Sequence, residues 1–274
     1  SGRLLAVSGS RDFTGAPAMV SLAAYRAGAG LVEVALPASI QLAVAAHALE
    51  PIYLPLPTVD GKLGHSALED IASALEKARS LALGPGMGLS ESTIELVAGV
   101  LDLLRDEKKI GAVVDADGLN ALAHIDQWHH GLGDVVVTPH PGEMSRLTGL
   151  SIAEVQADRL AVARRFASKW DVVVVLKGAR TIVAAPDGRA AINSSGGPNL
   201  ATAGTGDVLS GIIGGLLAQS VGAWDAARCG VYLHGRAGDL LRAELGDAGT
   251  LAGDLLAMIP VARQSILDAQ EEDE

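Results

Sequence analysis

An α/β fold built on one mainly parallel sheet, with helices on both faces, is predicted by three observations. Short β-rich runs alternate with longer segments of helical spacing along most of the chain. Most of those short runs are apolar almost without interruption, as expected of strands buried on both faces. The 274 residues are 49% hydrophobic and 19% charged, enough for a large core and far from a disordered composition. α/β chains of this length are commonly one domain. Residues 1–270 are accordingly read as a single domain, and the acidic end 271–274 as a solvated tail.

Each element follows from a local pattern. A first strand at Leu4–Ser8 leads through Ser8-Gly9-Ser10 to Thr14-Gly15-Ala16-Pro17, where proline suits the first turn of a helix over Ala16–Ala27. Gly28 and Gly30 read as its C-cap. Apolar runs place strands at Leu31–Leu36, Ser80–Gly84, Ala112–Asp115, Asp134–Thr138 and Asp171–Lys177, with Val172 to Val175 the clearest. Between them, helical spacing falls at His65–Lys77, Glu91–Leu104 and Ile152–Ser168. Thr181–Ala185 and Ala190–Asn193 flank Pro186-Asp187-Gly188-Arg189 and predict a hairpin. Beyond it come helices at Asp207–Gln219 and Trp224–Glu244, the first with Gly211 and Gly215 spaced for close packing.

Charge and cysteine content remove several classes of function. Thirty-two acidic against 21 basic side chains give a net charge of −11, which disfavours nucleic acid and anionic membranes as partners. Cys229 is the only cysteine, so an internal disulfide and a cysteine-held metal cluster are excluded. A reducing compartment, the cytoplasm, is the expected location. The longest apolar stretches, such as Val208 to Ala218, fall short of the roughly 20 residues of a membrane span. An opening at Ser1-Gly2-Arg3, without methionine, reads as a trimmed or processed start.

In a sheet of this kind function is expected at the carboxyl ends of the strands. The densest chemistry follows the hairpin, in GGPNLATAGTGDVLSG from Gly196 to Gly211. Gly204, Thr205 and Gly206 can turn backbone N–H groups inward as an anion cradle, to which the following helix adds the positive end of its dipole. A carboxylate there is unfavourable beside a phosphate unless it works, and Asp207 is read as a base taking a proton from an attacking hydroxyl. The alternative is that Asp207 only caps the helix.

Other strand ends add to this map. VVDADGLNAL places Asp115, Asp117 and Asn120 at a strand end and first helical turn, oxygen ligands that suit Mg²⁺ or a substrate hydroxyl, with capping by Asp117 the alternative. In VVVTPHPGEMSRLTG, His140 lies between two prolines as a hydrogen-bonding residue for a ligand, and Glu143 enters a helix where it can hold Mg²⁺ or water. Lys177-Gly178-Ala179-Arg180-Thr181 brings a cation and a flexible backbone towards the glycine loop, although a lysine ending a strand is also common without function. Gly84-Pro85-Gly86-Met87-Gly88 lacks G-x-G-x-x-G spacing, which argues against a nicotinamide dehydrogenase. The other six histidines show no zinc-ligand spacing.

The order of TGAP, GPGMG, DADGLNAL, TPHPGE, LKG and NLATAGTGDVLSG resembles the ADP- or ATP-dependent NAD(P)H-hydrate dehydratases, members of the ribokinase-like superfamily, from Gly9 to about Gly215. The resemblance implies a ribokinase-like domain and repair of hydrated NADH and NADPH. In that reaction the nucleotide phosphorylates the hydroxyl on the damaged nicotinamide ring, and loss of phosphate restores the coenzyme. It further implies that the hydrate lies against Ala16, Gly86, Gly88, His140 and Asp207. The nucleotide would lie along Lys177, Gly178, Ala179, Arg180 and Thr181 and along the loop containing Asn199, Ala203, Gly204, Thr205 and Gly206. Glu143 resembles the magnesium-associated glutamate of ribokinase-like kinases, so Mg²⁺ is implied.

The TPHPGE form resembles prokaryotic members that use ADP and release AMP and phosphate, the ATP-using eukaryotic branch more often having asparagine at this histidine. Ala203 departs from the family pattern, where a second glycine is frequent, and the asparagine often precedes the proline. A homo-oligomer such as a tetramer is expected by the same resemblance, as is pairing with an NAD(P)H-hydrate epimerase domain. The same loop and aspartate would also serve a kinase of a vitamin precursor such as a hydroxymethylpyrimidine or hydroxyethylthiazole. A nucleotide sensor without turnover is a third reading, disfavoured by the presence of Asp207.

Overall fold

The computed structural model describes residues 2–106 and 109–272, with side chains to 268. The chain begins β1 (Arg3–Val7), α1 (Gly15–Ala27), β2 (Leu31–Pro37), α2 (Gln41–Ala45), β3 (Ile52–Leu56) and a two-residue ribbon, β4 (Thr58–Val59) with β5 (Lys62–Leu63). It continues α3 (Leu68–Leu75), β6 (Ser80–Leu83), α4 (Glu91–Asp106), β7 (Gly111–Val114), α5 (Asp117–Leu122), β8 (Val135–Val137), α6 (Pro141–Thr148), α7 (Ile152–Ala157) and α8 (Arg159–Trp170). Last come β9 (Val173–Leu176), β10 (Ile182–Ala184), β11 (Ala190–Ile192), α9 (Thr205–Ala218), α10 (Ala223–Leu245) and α11 (Ala252–Glu272).

One sheet of nine strands has the order β11-β10-β9-β8-β7-β6-β1-β2-β3. It is parallel from β3 to β9, and the hairpin β10–β11 closes one edge antiparallel. Alternation along β1 sends Leu5 and Val7 to one face, packed with α3, α4 and α8 side chains such as Ile71, Val97 and Phe166. Leu4 and Ala6 go to the other, under Val20 of α1, Ile213 of α9 and Val231 of α10. α9 is apolar all round because it is covered twice: Leu209 and Ile213 meet the sheet, while Val208 and Ile212 meet Leu255 and Ile259 of α11 in a third cluster.

The small-residue face of α9 lies on α1, as the spacing of its glycines predicts. A Cβ on Gly211 would stand 2.3 Å from the carbonyl oxygen of Val20. Gly211→Ala is therefore expected to push the two helices apart and cost about 1–3 kcal/mol, measurable by chemical denaturation.

Several elements differ from the sequence expectation, each for a local reason. β3 carries Pro55, which breaks the pattern of a strand but is tolerated here because β3 pairs only with β2 at the sheet edge. The helix expected over Ile152–Ser168 is two. The backbone of Asp158 turns out of helical geometry (φ −148°, ψ 78°), and its carboxylate accepts from the N–H of Ala161 to start α8. α11 has no counterpart in the expectation, and it extends to Glu272, into the span read as an acidic tail; residues 273 and 274 lie outside the described residues.

Chain order fixes where the site opens. β1 has β2 on one side and β6 on the other, so the loops leaving the carboxyl ends of β1 and β6 diverge and leave a crevice between them. Ser8 Oγ donates to the carbonyl of Pro85 at 2.6 Å, and the Gly9 N–H donates to the same oxygen at 2.9 Å, pinning the two loops at its base.

Candidate active site

α9 begins at the centre of the carboxyl edge of the sheet. Gly204 precedes it with φ 88°, a left-handed conformation that glycine adopts freely; the Thr205 N–H donates to the carbonyl of Thr202 at 3.4 Å, and the Gly206 N–H has no backbone acceptor within the helix. Two cavities meet at this turn. The larger, about 650 Å³, is bounded by Phe13 to Ala16, Gly86, Ala116, Asp117, His140, Glu143 and the turn itself through Gly204 and Asp207. The smaller, about 460 Å³, is bounded by Lys177 to Thr181, Gly196 to Pro198 and the same turn through Thr205 and Gly206. One helix start is thus a shared wall.

Behind the wall lies a charge cluster. Asp115, at the end of β7, is buried; its Oδ1 takes a 2.7 Å hydrogen bond from Lys177 Nζ and its Oδ2 one of 2.7 Å from Ser210 Oγ. Burial opposes the ionised form of Asp115, but Lys177 and these hydrogen bonds hold its carboxyl below the usual range. Lys177 Nζ also stands 3.7 Å from Glu143 Oε2. The missing side chain of Gly206 leaves room here: its Cβ direction meets Lys177 Nζ at 3.5 Å and Asp115 Oδ2 at 3.6 Å. Among the described residues Asp207 has no such partner. Burial first, then the neighbouring Asp115 and Asp117, push it up to about 7 despite the opposing pull of Lys177. A carboxylate so placed is a proton acceptor matched to neutral pH.

His140 and Glu143 serve the backbone with one face and the cavity with the other. His140 Nδ1 accepts from the N–H groups of Gly142 and Glu143 at 2.9 and 3.3 Å, while Glu143 Oε2 accepts from the His140 N–H at 2.8 Å, a reciprocal cap on α6. The neutral ring therefore carries its proton on Nε2, the atom left for a ligand. Burial, with Lys177 and Arg146 nearby, lowers the pKa of His140 below that of a free histidine.

Among the described residues no group of three or more His, Cys, Asp or Glu forms a metal cage. Mg²⁺ needs no such cage when phosphates supply most of its oxygens, and buried Glu143, with Oε1 3.6 Å from His140 Nε2, is the carboxylate here that fits that mode.

Ala16, Gly86, His140 and Asp207 gather on the larger cavity, and Lys177, Gly178, Ala179, Arg180, Thr181 and Gly206 on the smaller, as read from the sequence. Four residues sit otherwise. Ala203 and Gly204 face the larger cavity rather than the nucleotide side. Asn199 is buried beneath the glycine loop and donates to the carbonyl of Gly238 at 2.9 Å, tying the loop to α10. Gly88 lies outside the cavity lining, and its N–H is engaged by Asp117 Oδ2 at 2.8 Å. Asp117 Oδ1 in turn accepts from Asn120 Nδ2 at 3.1 Å, so Asp117 clasps the GPGMG loop instead of capping α5, whose N-cap is Ala116. Asp115, considered with them as an oxygen ligand, spends both oxygens on Lys177 and Ser210.

Two contributors escaped the sequence reading. His234 of α10 is buried on the smaller cavity, with Nε2 3.0 Å from the carbonyl of Thr205, and burial lowers it to about 4, so it is neutral. Ala116 holds φ 50°, ψ −118° at the lip of the larger cavity, an uncommon conformation for a residue with a Cβ. His234 stands alone in its helix with no ligand spacing, and alanine gives no signal of strain.

Comparison with known proteins agrees with this fold. The family model described as NAD(P)H-hydrate dehydratase matches residues 4–261. The bifunctional NAD(P)H-hydrate repair enzyme Nnr of Moorella thermoacetica is 44% identical over 272 residues, covering 98% of this chain and 51% of that protein. The chain thus spans about half the length of the bifunctional relatives it matches. The ADP-dependent (S)-NAD(P)H-hydrate dehydratase of Neisseria meningitidis is 37% identical over 96% of this chain and 84% of its own. The ADP/ATP-dependent NAD(P)H-hydrate dehydratase of Bacillus subtilis, co-crystallised with ATP/Mg²⁺, superposes with a TM-score of 0.83 at 33% identity, covering 96% of this chain and 89% of that one. With its nine-stranded sheet, its paired cavities and these relatives, the chain belongs to the NAD(P)H-hydrate dehydratase family.

Proposed function

We propose that the chain dehydrates hydrated NADH and NADPH at the expense of ADP, releasing AMP and phosphate. The observation that carries this reading is the shared wall: a base on one side of a helix start and an anion cradle on the other. The hydrated nicotinamide ring occupies the larger cavity, between Ala16, Gly86 and His140, and the nucleotide lies along Lys177 to Thr181 and Gly206. Asp207 takes the proton of the ring hydroxyl as its oxygen attacks the terminal phosphoryl group. The Gly206 N–H, at the start of α9, would face an equatorial oxygen of that group, where one preorganised donor is worth about 3–4 kcal/mol. Cleavage of the ring C–O bond then expels phosphate, and loss of a proton from the adjacent ring carbon restores the double bond of the reduced coenzyme. Glu143, on the wall of the larger cavity, would hold Mg²⁺, which would supply neutralisation of phosphate charge.

The choice of ADP over ATP is supported by the Neisseria relative, whose name specifies ADP, while the Bacillus relative is named for both. The bifunctional relatives support pairing with a second activity, which we assign to an epimerase. A homo-oligomer is supported by largely exposed Leu42, Leu49 and Ile52 leading into the edge strand β3. No described helix is long and apolar enough to cross a membrane, and a cytoplasmic setting accords with the single cysteine.

Incubation of the protein with chemically hydrated NADH, Mg²⁺ and either nucleotide tests the reading. Recovery of the near-ultraviolet band of reduced nicotinamide, faster with ADP, is the expected result. Absence of recovery with both nucleotides, from protein that binds them, would move the assignment to a kinase of a vitamin precursor.

A further inference from the structure

The larger cavity has a charge problem. Asp12, Asp117, Glu143 and Asp207 line it, and among the described residues lining it Arg146 is the only arginine or lysine. A hydrated dinucleotide brings a doubly charged pyrophosphate, or in its phosphorylated form a 2′-phosphate as well, into a space already rich in carboxylates. Among these carboxylates a cation offsets the repulsion that such a group would meet.

Arg146 is built for that role by residues that sequence alone offered as ligands. Asp117 is fixed by the Gly88 N–H at 2.8 Å; it holds Asn120 Nδ2 at 3.1 Å, and Asn120 Oδ1 accepts from Arg146 Nε at 3.0 Å. The chain of bonds runs from the GPGMG loop through α5 to α6. It consumes the one inward N–H of the guanidinium and leaves both Nη groups free of protein partners in the described structure, a planar fork suited to two phosphate oxygens. Arg146 is exposed, and its Nη1 lies 4.0 Å from where a Cβ on Gly142 would stand, beside the His140 ring. The fork therefore sits at the mouth of the cavity, on the same helix as the ring-facing histidine.

We infer that Arg146 anchors a phosphate group of the hydrated dinucleotide, and that Asn120 is the positioning residue that aims it. The inference rests on the function proposed above, and the test separates the two. Wild-type protein is first assayed with hydrated NADH and hydrated NADPH and ADP; failure on both removes the functional reading and the anchor with it. Given turnover, Arg146→Ala is expected to raise KM for the hydrate about 10- to 100-fold, with the loss carried by KM rather than kcat and with KM for ADP unmoved. Asn120→Ala is expected to reproduce part of that rise, and Arg146→Lys to recover part of it.

Equal increases for both hydrates identify the pyrophosphate as the group held; an increase confined to hydrated NADPH identifies the 2′-phosphate. Unchanged KM for both hydrates in Arg146→Ala, or a rise confined to KM for ADP, would overturn the inference while leaving the function standing.

Discussion

Asp207→Asn is expected to lose turnover by about 10²- to 10⁴-fold, the usual contribution of a positioned base, while still binding nucleotide. The same substitution is expected to stabilise the fold above neutral pH. The raised pKa of Asp207, about 7 against an ordinary 3.8, means that the folded protein holds a proton which the unfolded chain releases between those two values. Stability from this group is therefore lost as pH rises through that window, and above it the ionised carboxylate costs a ceiling of about 4 kcal/mol. Asparagine carries no such charge. Thermal melts should show Asp207→Asn gaining several degrees over wild type at pH 8 and nearly nothing at pH 4. A variant that loses activity without gaining stability at high pH would mean that Asp207 is not held against its preferred ionisation. In wild type the same pKa places an acid limb near pH 7 in kcat/KM.

The second large effect falls on Lys177. Its ammonium lies 2.7 Å from Asp115 and 3.7 Å from Glu143, both buried. Lys177→Met leaves two carboxylates without their cation, which for a broken buried pair costs about 3–5 kcal/mol. Denaturant titration measures that loss. Adding Asp115→Asn to the same protein removes one of the orphaned charges and is expected to return a good part of the stability, but not the activity, since the smaller cavity, where the nucleotide is proposed to lie, still lacks its lysine. Lys177 also draws the pKa of Asp207 down, so whatever activity survives in Lys177→Met should have its acid limb at higher pH than wild type. Equal stability of the single and double variants would show that Asp115 does not depend on Lys177 for its charge.

What the sequence made legible was mostly what the backbone alone decides. The parallel strands β1, β2 and β6 to β9 were visible because strands buried on both faces must be apolar throughout. The turn at Gly204 and the carboxylate after it stood out because glycine and charge are costly at a helix start without a reason. Side-chain partnerships were less visible. Asp115 and Lys177 are 62 residues apart and Asp115 and Ser210 are 95 apart, so no local pattern announces that they meet. Asp117 and Asn120 looked like ligands because carboxylate and amide oxygens have the same chemistry whether they face a ligand or a backbone N–H. The break at Asp158 was hidden for a similar reason, since an aspartate on a helical surface and one that ends a helix read alike.

The helix start that divides the two cavities has a thermodynamic consequence. On the function proposed above both ligands would meet the same short turn, Gly204 to Asp207, and behind it α9 is clamped between the sheet and α11. A ligand that displaced this turn from one side would change the wall that the other ligand meets. Any linkage between the two affinities that runs through this turn would be mutual: the factor by which one ligand tightens the other must equal the factor in reverse.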